Sequence, residues 1–263
     1  IERLTNVFDR HNPASAVSHL NSSGFLSGIP GELASVLTAS ADLLKSTEQA
    51  FNPAIAPVLD LYESRLSSGQ SLRHDDREYV EALSLADPRA IQITKDAVRL
   101  ERSGMRLTLD GIAKGYIADA ASRVLAQKGL GDHMVNAGGD IRVQGRGADR
   151  LPWSIGIQHP ENRAGLLTGV RMTSGGIATS GNYEHTYNRS RTRNHLINHR
   201  TGRCMESASV TVKAASAMHA DGLATALAIM PPQLAVAYVE KHGGAACFIV
   251  DRYGRSYASG NWG

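Results

Sequence analysis

The chain is poor in cysteine, in aromatic residues and in net charge. It has 263 residues with two cysteines, 5% aromatic residues and a formal net charge of +3. Cys204 and Cys247 lie far apart and match no spacing typical of a metal site, which argues against a cysteine-based zinc centre. So few aromatic residues leave little for stacking on single-stranded nucleic acid, and so small a charge does not indicate binding to a phosphate backbone. We therefore expect no nucleic-acid partner.

The chain also lacks an apolar run long enough to span a membrane, so we expect no transmembrane segment in it. Residue 1 is isoleucine, from which we expect the natural chain to begin earlier; a signal peptide or lipid anchor would lie in that earlier part. Apolar residues make up 42% and charged residues 20%, as in ordinary globular proteins. We expect residues 1–263 to form a single domain.

Hydrophobic periodicity predicts helices and short strands in no regular βαβ order, which favours an α+β fold with mixed or antiparallel sheets flanked by helices. Helix 114–128 is predicted to bury Ile117, Ala121, Val124 and Leu125. The other predicted elements are helices over 32–50, 75–83, 220–229 and 233–241, a hairpin over 98–109 turning at 103–104, strands around 153–157 and 210–212, and a final hairpin over 246–258.

Asp221 and Thr225 stand out in residues 217–225, which read as the start of a helix. Residues four apart project from one helical face, so a carboxylate and a hydroxyl oxygen would lie together there. This pair suits Mg²⁺, which keeps water ligands and shares its coordination shell with substrate phosphates. The alternative is an aspartate that caps the helix and a threonine bonded to its own backbone. We expect Asp221 to be open to solvent.

Residues 107–119 lead from a predicted strand into a helix. Gly111 and Gly115 let the backbone approach a ligand closely, and the start of a helix favours anions. A backbone carbonyl at Gly111 is a possible ligand for a hard cation, and Lys114 is a candidate phosphate contact. The alternative is an ordinary turn followed by an exposed lysine.

Residues 135–141 place paired glycines between two short apolar strands. Such a pair indicates either a ligand pressed against the backbone, with Asp140 as a ribose or diphosphate contact, or a plain Gly-Gly hairpin turn. The segment is not a dinucleotide-binding Gly-x-Gly-x-x-Gly motif.

Residues 185–203 contain five arginines, three histidines and no acidic residue. They form either a solvated basic loop or a site for phosphate or pyrophosphate, which arginine binds in a bidentate manner. His195 in this stretch is a candidate general acid or base, or a structural histidine.

These segments together resemble the FAD:protein FMN transferase (ApbE) family. The resemblance is carried by Gly-Ile-Ala-Lys-Gly-Tyr at 111–116, Asn-Ala-Gly-Gly-Asp at 136–140 and Ala-Asp-x-x-Ala-Thr-Ala at 220–226, in the order of the family. Residues 178–183 and 195–202 are similar to two further family segments.

The resemblance implies an ApbE-like single domain that moves FMN from FAD to a Ser or Thr hydroxyl of an acceptor flavoprotein, with Mg²⁺ bound and AMP released. It implies that the Gly111 carbonyl, Asp221 and Thr225 hold the metal and that His195 assists transfer. A periplasmic or membrane-associated location is slightly favoured over a cytoplasmic one. The residues expected to contact FAD are Asn52, Thr108, Lys114, Asn136, Gly138, Gly139, Asp140, Thr179, Ser180, Gly181 and Tyr183.

Two alternatives stay open. One is an Mg²⁺-dependent FAD pyrophosphatase, which the same site would serve with water in place of the acceptor. The other is a catalytically weak FAD-binding accessory protein, because the chain departs from the family pattern in several places. Because Asn198 and His199 replace Asp-Pro, we expect a weaker orientation of that loop. The other departures are His11 for tyrosine, Asn52 and Asn182 for aspartate, Thr108 where aspartate is frequent and Asp110 where a small residue is usual.

Overall fold

The computed structural model describes residues 1–70, 72–73, 75–162, 164–183, 186, 194–202, 204–205 and 207–263, with Ser67 by its backbone alone. The chain divides into two compact units, each made of two segments. Unit 1 comprises Ile1–Gly111 and His185–Met205, and unit 2 comprises Ile112–Glu184 and Glu206–Gly263. In the described part of the chain, every helix is too short or too polar to cross a membrane.

Unit 1 is mainly helical and carries a three-stranded antiparallel sheet in the order β1-β3-β2. Tyr62 and Tyr79 are fully buried and meet edge to face between α4 and α5, with ring centroids 6.0 Å apart. Around them pack apolar side chains of both helices together with Ile197. The elements of unit 1 are α1 (Glu2–Phe8), α2 (Ala16–Ser23), β1 (Phe25–Ser27), α3 (Gly31–Ser46), α4 (Ala56–Ser67), α5 (Arg77–Leu85), β2 (Ile91–Ile93) and β3 (Ala97–Leu100).

Unit 2 is built on a six-stranded antiparallel sheet in the order β11-β10-β9-β8-β5-β4. Helix α7 packs on β8 and β9, and α6 packs on α7, while β6 and β7 pair as a separate ribbon. The elements of unit 2 are α6 (Ala113–Gln127), β4 (His133–Ala137), β5 (Asp140–Gln144), β6 (Trp153–Gln158), β7 (Leu166–Met172), β8 (Ser174–Gly181), β9 (Ser207–Ala214), α7 (Ala217–Ala228), α8 (Pro232–His242), β10 (Ala245–Asp251) and β11 (Ser256–Ala258).

The α+β prediction is confirmed, but the hairpin predicted over 98–109 is wrong. β3 pairs with β1 and β2, and Thr94 closes the β2–β3 turn by accepting a hydrogen bond from Ala97 at 3.1 Å. The backbone beyond β3 bonds elsewhere, because the Asn21 amide donates to and accepts from Leu107 at 2.9 and 2.7 Å.

The predicted buried face of α6 is also wrong. The residues buried on this helix are small or polar, and Val124 is 50% exposed. The reason is that α7 lies so close to α6 that only short side chains fit between them. The buried residues of α6 are Ala113, Gly115, Ala118, Asp119 and Ser122.

Candidate functional site

The candidate metal ligands lie on α7, which begins after Ser216 as its N-cap. Asp221 is 4% exposed, so the expectation of an open carboxylate is wrong. Its Oδ2 accepts a hydrogen bond from the backbone N–H of Gly115 at 3.0 Å, which gives this buried carboxylate a polar partner from the first turn of α6. One turn further along, the Thr225 hydroxyl lies 3.4 Å from the Ser180 hydroxyl on β8.

Lys114 and Asp140 form an ion pair that the spacing of the sequence motifs does not indicate. Lys114 Nζ lies 2.9 Å from Asp140 Oδ2, and Asp140 is only 2% exposed at the start of β5. Burial raises the pKa of the Asp140 carboxyl, and the charge of Lys114 acts in the opposite direction. Lys114 is thereby held at the glycine turn between β4 and β5.

That turn is a tight hairpin, as the alternative interpretation predicted. Gly138 and Gly139 have φ values of +72° and +104°, a conformation that L side chains rarely adopt. The Asn136 side-chain oxygen accepts a hydrogen bond from the Gly139 N–H at 2.8 Å. The turn exposes backbone beside Lys114, and its contact with a ligand stays a prediction.

Within unit 2, two contacts therefore join three motifs that lie far apart in the sequence. Lys114 connects the 113–119 motif to Asp140, and Gly115 connects it to Asp221. The start of α6 is the common partner of both. The carboxylate and hydroxyl oxygens of Asp221, Thr225 and Ser180 are hard ligands and fit Mg²⁺, which usually takes one or two protein carboxylates.

The predicted segment at 178–183 runs along β8 beside these residues. The Thr179 hydroxyl lies 2.9 Å from that of Thr211 on β9. The Tyr183 ring covers Gly181 so closely that a Cβ there would lie 2.4 Å from Tyr183 Cε1. These strands thus present hydroxyl groups next to an aromatic ring.

Asn52 and Thr108 of unit 1 both form hydrogen bonds to a short 3-10 turn, Pro53–Ile55. The Asn52 side chain donates to the Ala86 carbonyl at 2.8 Å and accepts from the Ala54 N–H at 2.9 Å. The Thr108 N–H donates to the Pro53 carbonyl at 2.8 Å. Their observed contacts are structural, and their role toward FAD stays a prediction.

The residues just before Gly111 form ion pairs that the sequence spacing does not indicate. Arg10 contacts Asp60 at 2.6 Å and Asp110 at 3.2 Å, and Arg106 contacts Asp60 at 2.9 Å. The departure at Asp110 therefore supplies one anchor of the turn that carries Gly111.

His195 lies in a stretch fixed by Asn194, whose side-chain oxygen accepts from the Leu196 N–H at 3.0 Å. Asn198 accepts from the Arg200 N–H at 3.0 Å through its side-chain oxygen, and the weaker orientation of this loop from loss of a carboxylate stays a prediction. Of the predicted basic stretch, His185, Arg189, Arg191, Arg193 and Arg203 lie outside the described residues.

Two functional candidates were missed from the sequence. Asp119 accepts hydrogen bonds from the first N–H groups of α7, and Arg142 donates to the carbonyl of Ala215, the residue before the N-cap of that helix. Asp119 closes the 107–119 motif and lies four residues after Gly115, which places both on one face of α6. That spacing was the available signal.

Most of the chain has relatives of known name. A family model described as the ApbE family matches residues 1–249. The FAD:protein FMN transferase of Escherichia coli (strain K12) is 28% identical over 254 residues, which cover 92% of this chain and 72% of that protein. The protein of the same name from Salmonella typhimurium is 34% identical over 153 residues, or 57% of this chain and 43% of that protein.

Solved structures of similar fold match nearly the full length of the chain. The ApbE protein of Thermotoga maritima has a TM-score of 0.88 at 27% identity, with 99% of this chain and 86% of that chain covered. The flavin transferase ApbE of Vibrio cholerae has a TM-score of 0.85 at 26% identity, with the same coverage.

Proposed function

This chain belongs to the ApbE family, and from that membership we propose that it is an Mg²⁺-dependent FAD:protein FMN transferase. In the proposed reaction, a Ser or Thr hydroxyl of an acceptor flavoprotein attacks the FMN phosphorus of FAD. A phosphoester bond forms to the acceptor, the bond between the two phosphates breaks, and AMP leaves.

The observation that supports the proposal most is the joining of three family motifs at the start of α6. Lys114 pairs with Asp140, and the next residue along the chain donates its N–H to Asp221. Helix packing alone requires neither a buried carboxylate at Asp140 nor one at Asp221. A site for a charged ligand and a cation accounts for both.

The metal would be held by Asp221 and Thr225, with the Gly111 carbonyl as the third protein oxygen that the family resemblance assigns. Bound there, Mg²⁺ supplies charge neutralisation for a diphosphate and its leaving group. Asp221 is already oriented by the Gly115 N–H, so its carboxylate needs little rearrangement.

Lys114 supplies a fixed positive charge whose position is set by Asp140 rather than by the flexibility of its own chain. Such a charge binds a phosphate without first ordering the side chain. In the proposal, His195 accepts the proton of the acceptor hydroxyl as the phosphoester forms.

The test is to incubate the protein with FAD, Mg²⁺ and an acceptor domain and to examine a denaturing gel for covalent flavin fluorescence. We expect a fluorescent acceptor band with the wild type and none with Asp221→Asn. Asparagine keeps an oxygen for the Gly115 N–H, so this variant removes charge while preserving the helix contact. Free FMN without a labelled acceptor would indicate the pyrophosphatase. FAD binding with neither free FMN nor a labelled acceptor would indicate the accessory protein.

A further inference from the structure

We propose that Asp119, together with Arg142, is a positioning residue that fixes the start of α7 and so the candidate metal ligands Asp221 and Thr225. The inference deepens the proposed function and rests on it for the presence of the metal. Neither residue is needed as a ligand; both act through the backbone that carries the ligands.

Asp119 caps a helix other than its own. It lies on α6 and is 8% exposed, and its Oδ1 and Oδ2 accept hydrogen bonds from the N–H groups of Ala217 and Met218, both at 3.0 Å. These are the first two N–H groups of α7, which have no partner within the helix. Ser216 satisfies the third, that of His219, at 3.1 Å.

Arg142 on β5 holds the residue that precedes the N-cap Ser216. Its Nη1 donates to the Ala215 carbonyl at 2.5 Å, and its Nε lies 3.7 Å from Asp119 Oδ1. One guanidinium thus contacts both the chain entering α7 and the carboxylate that caps it. The fork of arginine suits such a double contact, which lysine does not reproduce.

The backbone around Ala217 packs directly against two glycines, Gly115 and Gly176, so it cannot move closer to α6 or β8. A Cβ at Gly115 would lie 2.3 Å from the Ala217 carbonyl oxygen, and a Cβ at Gly176 on β8 would lie 2.1 Å from the Ala217 nitrogen. Helix α6 therefore contacts α7 at two places. Asp119 binds the first residues of α7, and the Gly115 N–H binds Asp221.

It follows that loss of the Asp119 charge should lower the affinity of the candidate site for its metal. In Asp119→Asn, the new NH₂ group faces a backbone N–H, so two donors oppose each other and the start of α7 must move. Residues that orient metal ligands typically change metal affinity by about 10–100-fold when mutated. We expect a shift of that size in the metal dissociation constant.

The experiment is a titration with Mn²⁺, which binds the same oxygen ligands as Mg²⁺, in the presence of saturating FAD. The concentration of free Mn²⁺ is followed by electron paramagnetic resonance. The matched control is Asp251→Asn. Asp251 is 7% exposed and accepts from the N–H groups of Tyr253 and Arg255 at 2.8 and 2.9 Å, but it closes the β10–β11 turn. We expect both variants to lose thermal stability and only Asp119→Asn to lose Mn²⁺ affinity.

Equal Mn²⁺ affinity in the wild type and Asp119→Asn would overturn this inference and leave the proposed function standing. Failure of the wild type itself to bind Mn²⁺ with FAD would overturn the metal-dependent function and this inference with it. If Asp119→Asn does not fold, Arg142→Gln serves instead, since this side chain is partly exposed. It should weaken Mn²⁺ binding in the same direction, and unchanged binding would again refute the inference.

Discussion

Replacing Gly115 by alanine tests the close contact between α6 and α7. An alanine Cβ would lie 2.3, 2.6 and 2.7 Å from the Ala217 oxygen, the Ala217 carbonyl carbon and the Met218 nitrogen. All three are backbone atoms, so no side-chain rotation relieves the clash. The two helices must separate, which stretches the hydrogen bond from Gly115 to Asp221.

The expected loss follows from three contributions to the free energy of unfolding. Overpacking of a close-packed site typically costs about 1–3 kcal/mol. The weakened hydrogen bond costs about 1 kcal/mol more, and the higher helix propensity of alanine returns about 1 kcal/mol. The net destabilisation is therefore about 1–3 kcal/mol, which at about 2–4 °C per kcal/mol lowers the melting temperature by roughly 2–12 °C.

The assay is thermal unfolding of Gly115→Ala beside Gly31→Ala. Gly31 is the first residue of α3, and a Cβ there meets nothing within 4 Å. We expect Gly31→Ala to melt at or slightly above the wild-type temperature. If Gly115→Ala is as stable as Gly31→Ala, α6 and α7 do not pack closely at Gly115, and the Gly115 N–H does not orient Asp221.

Three other changes have defined outcomes. His195→Ala should retain FAD binding, measured by fluorescence quenching, while single-turnover transfer falls about 10²–10⁴-fold; loss of FAD affinity at an unchanged rate would make it a binding residue. Asn21→Ala should cost about 1–3 kcal/mol in urea unfolding, because both backbone groups of Leu107 lose their partner; an unchanged midpoint would contradict this. Hydrogen bonds from Arg89 lower the pKa of Asp87 to about 2. Ionised Asp87 therefore stabilises the fold at pH values above its ordinary pKa of 3.8, and this stabilisation is lost as the pH falls toward 2. The melting temperature of Asp87→Asn should therefore lie below that of the wild type at pH 6 and approach it near pH 2, and a constant gap would refute the assignment.

The sequence was informative wherever local chemistry decides the outcome. The Gly-Gly turn at 138–139 and the helix starting near Lys114 follow from turn and helix propensities that act over a few residues. Burial of Asp221 was not predictable in this way, because its hydrogen-bond donor is 106 positions away along the chain.

The same limit explains the hairpin error at 98–109. Alternation and a Ser-Gly turn favoured a local pairing, whereas the competing partner of Leu107 is the side chain of Asn21, 86 positions earlier. Periodicity likewise favoured the large apolar residues of α6 as its buried face. Close helix packing instead selected glycine, alanine and serine, a choice that depends on where α7 lies.

The most direct measurement of the central claim is the intact mass of an acceptor protein after reaction with FAD and Mg²⁺, with AMP quantified in the same sample. The account predicts an acceptor heavier by FMN less one water, one AMP released for each flavin attached, and neither product with Asp221→Asn. An unmodified acceptor, with free FMN and AMP accumulating in equal amounts or with FAD left intact, would contradict it.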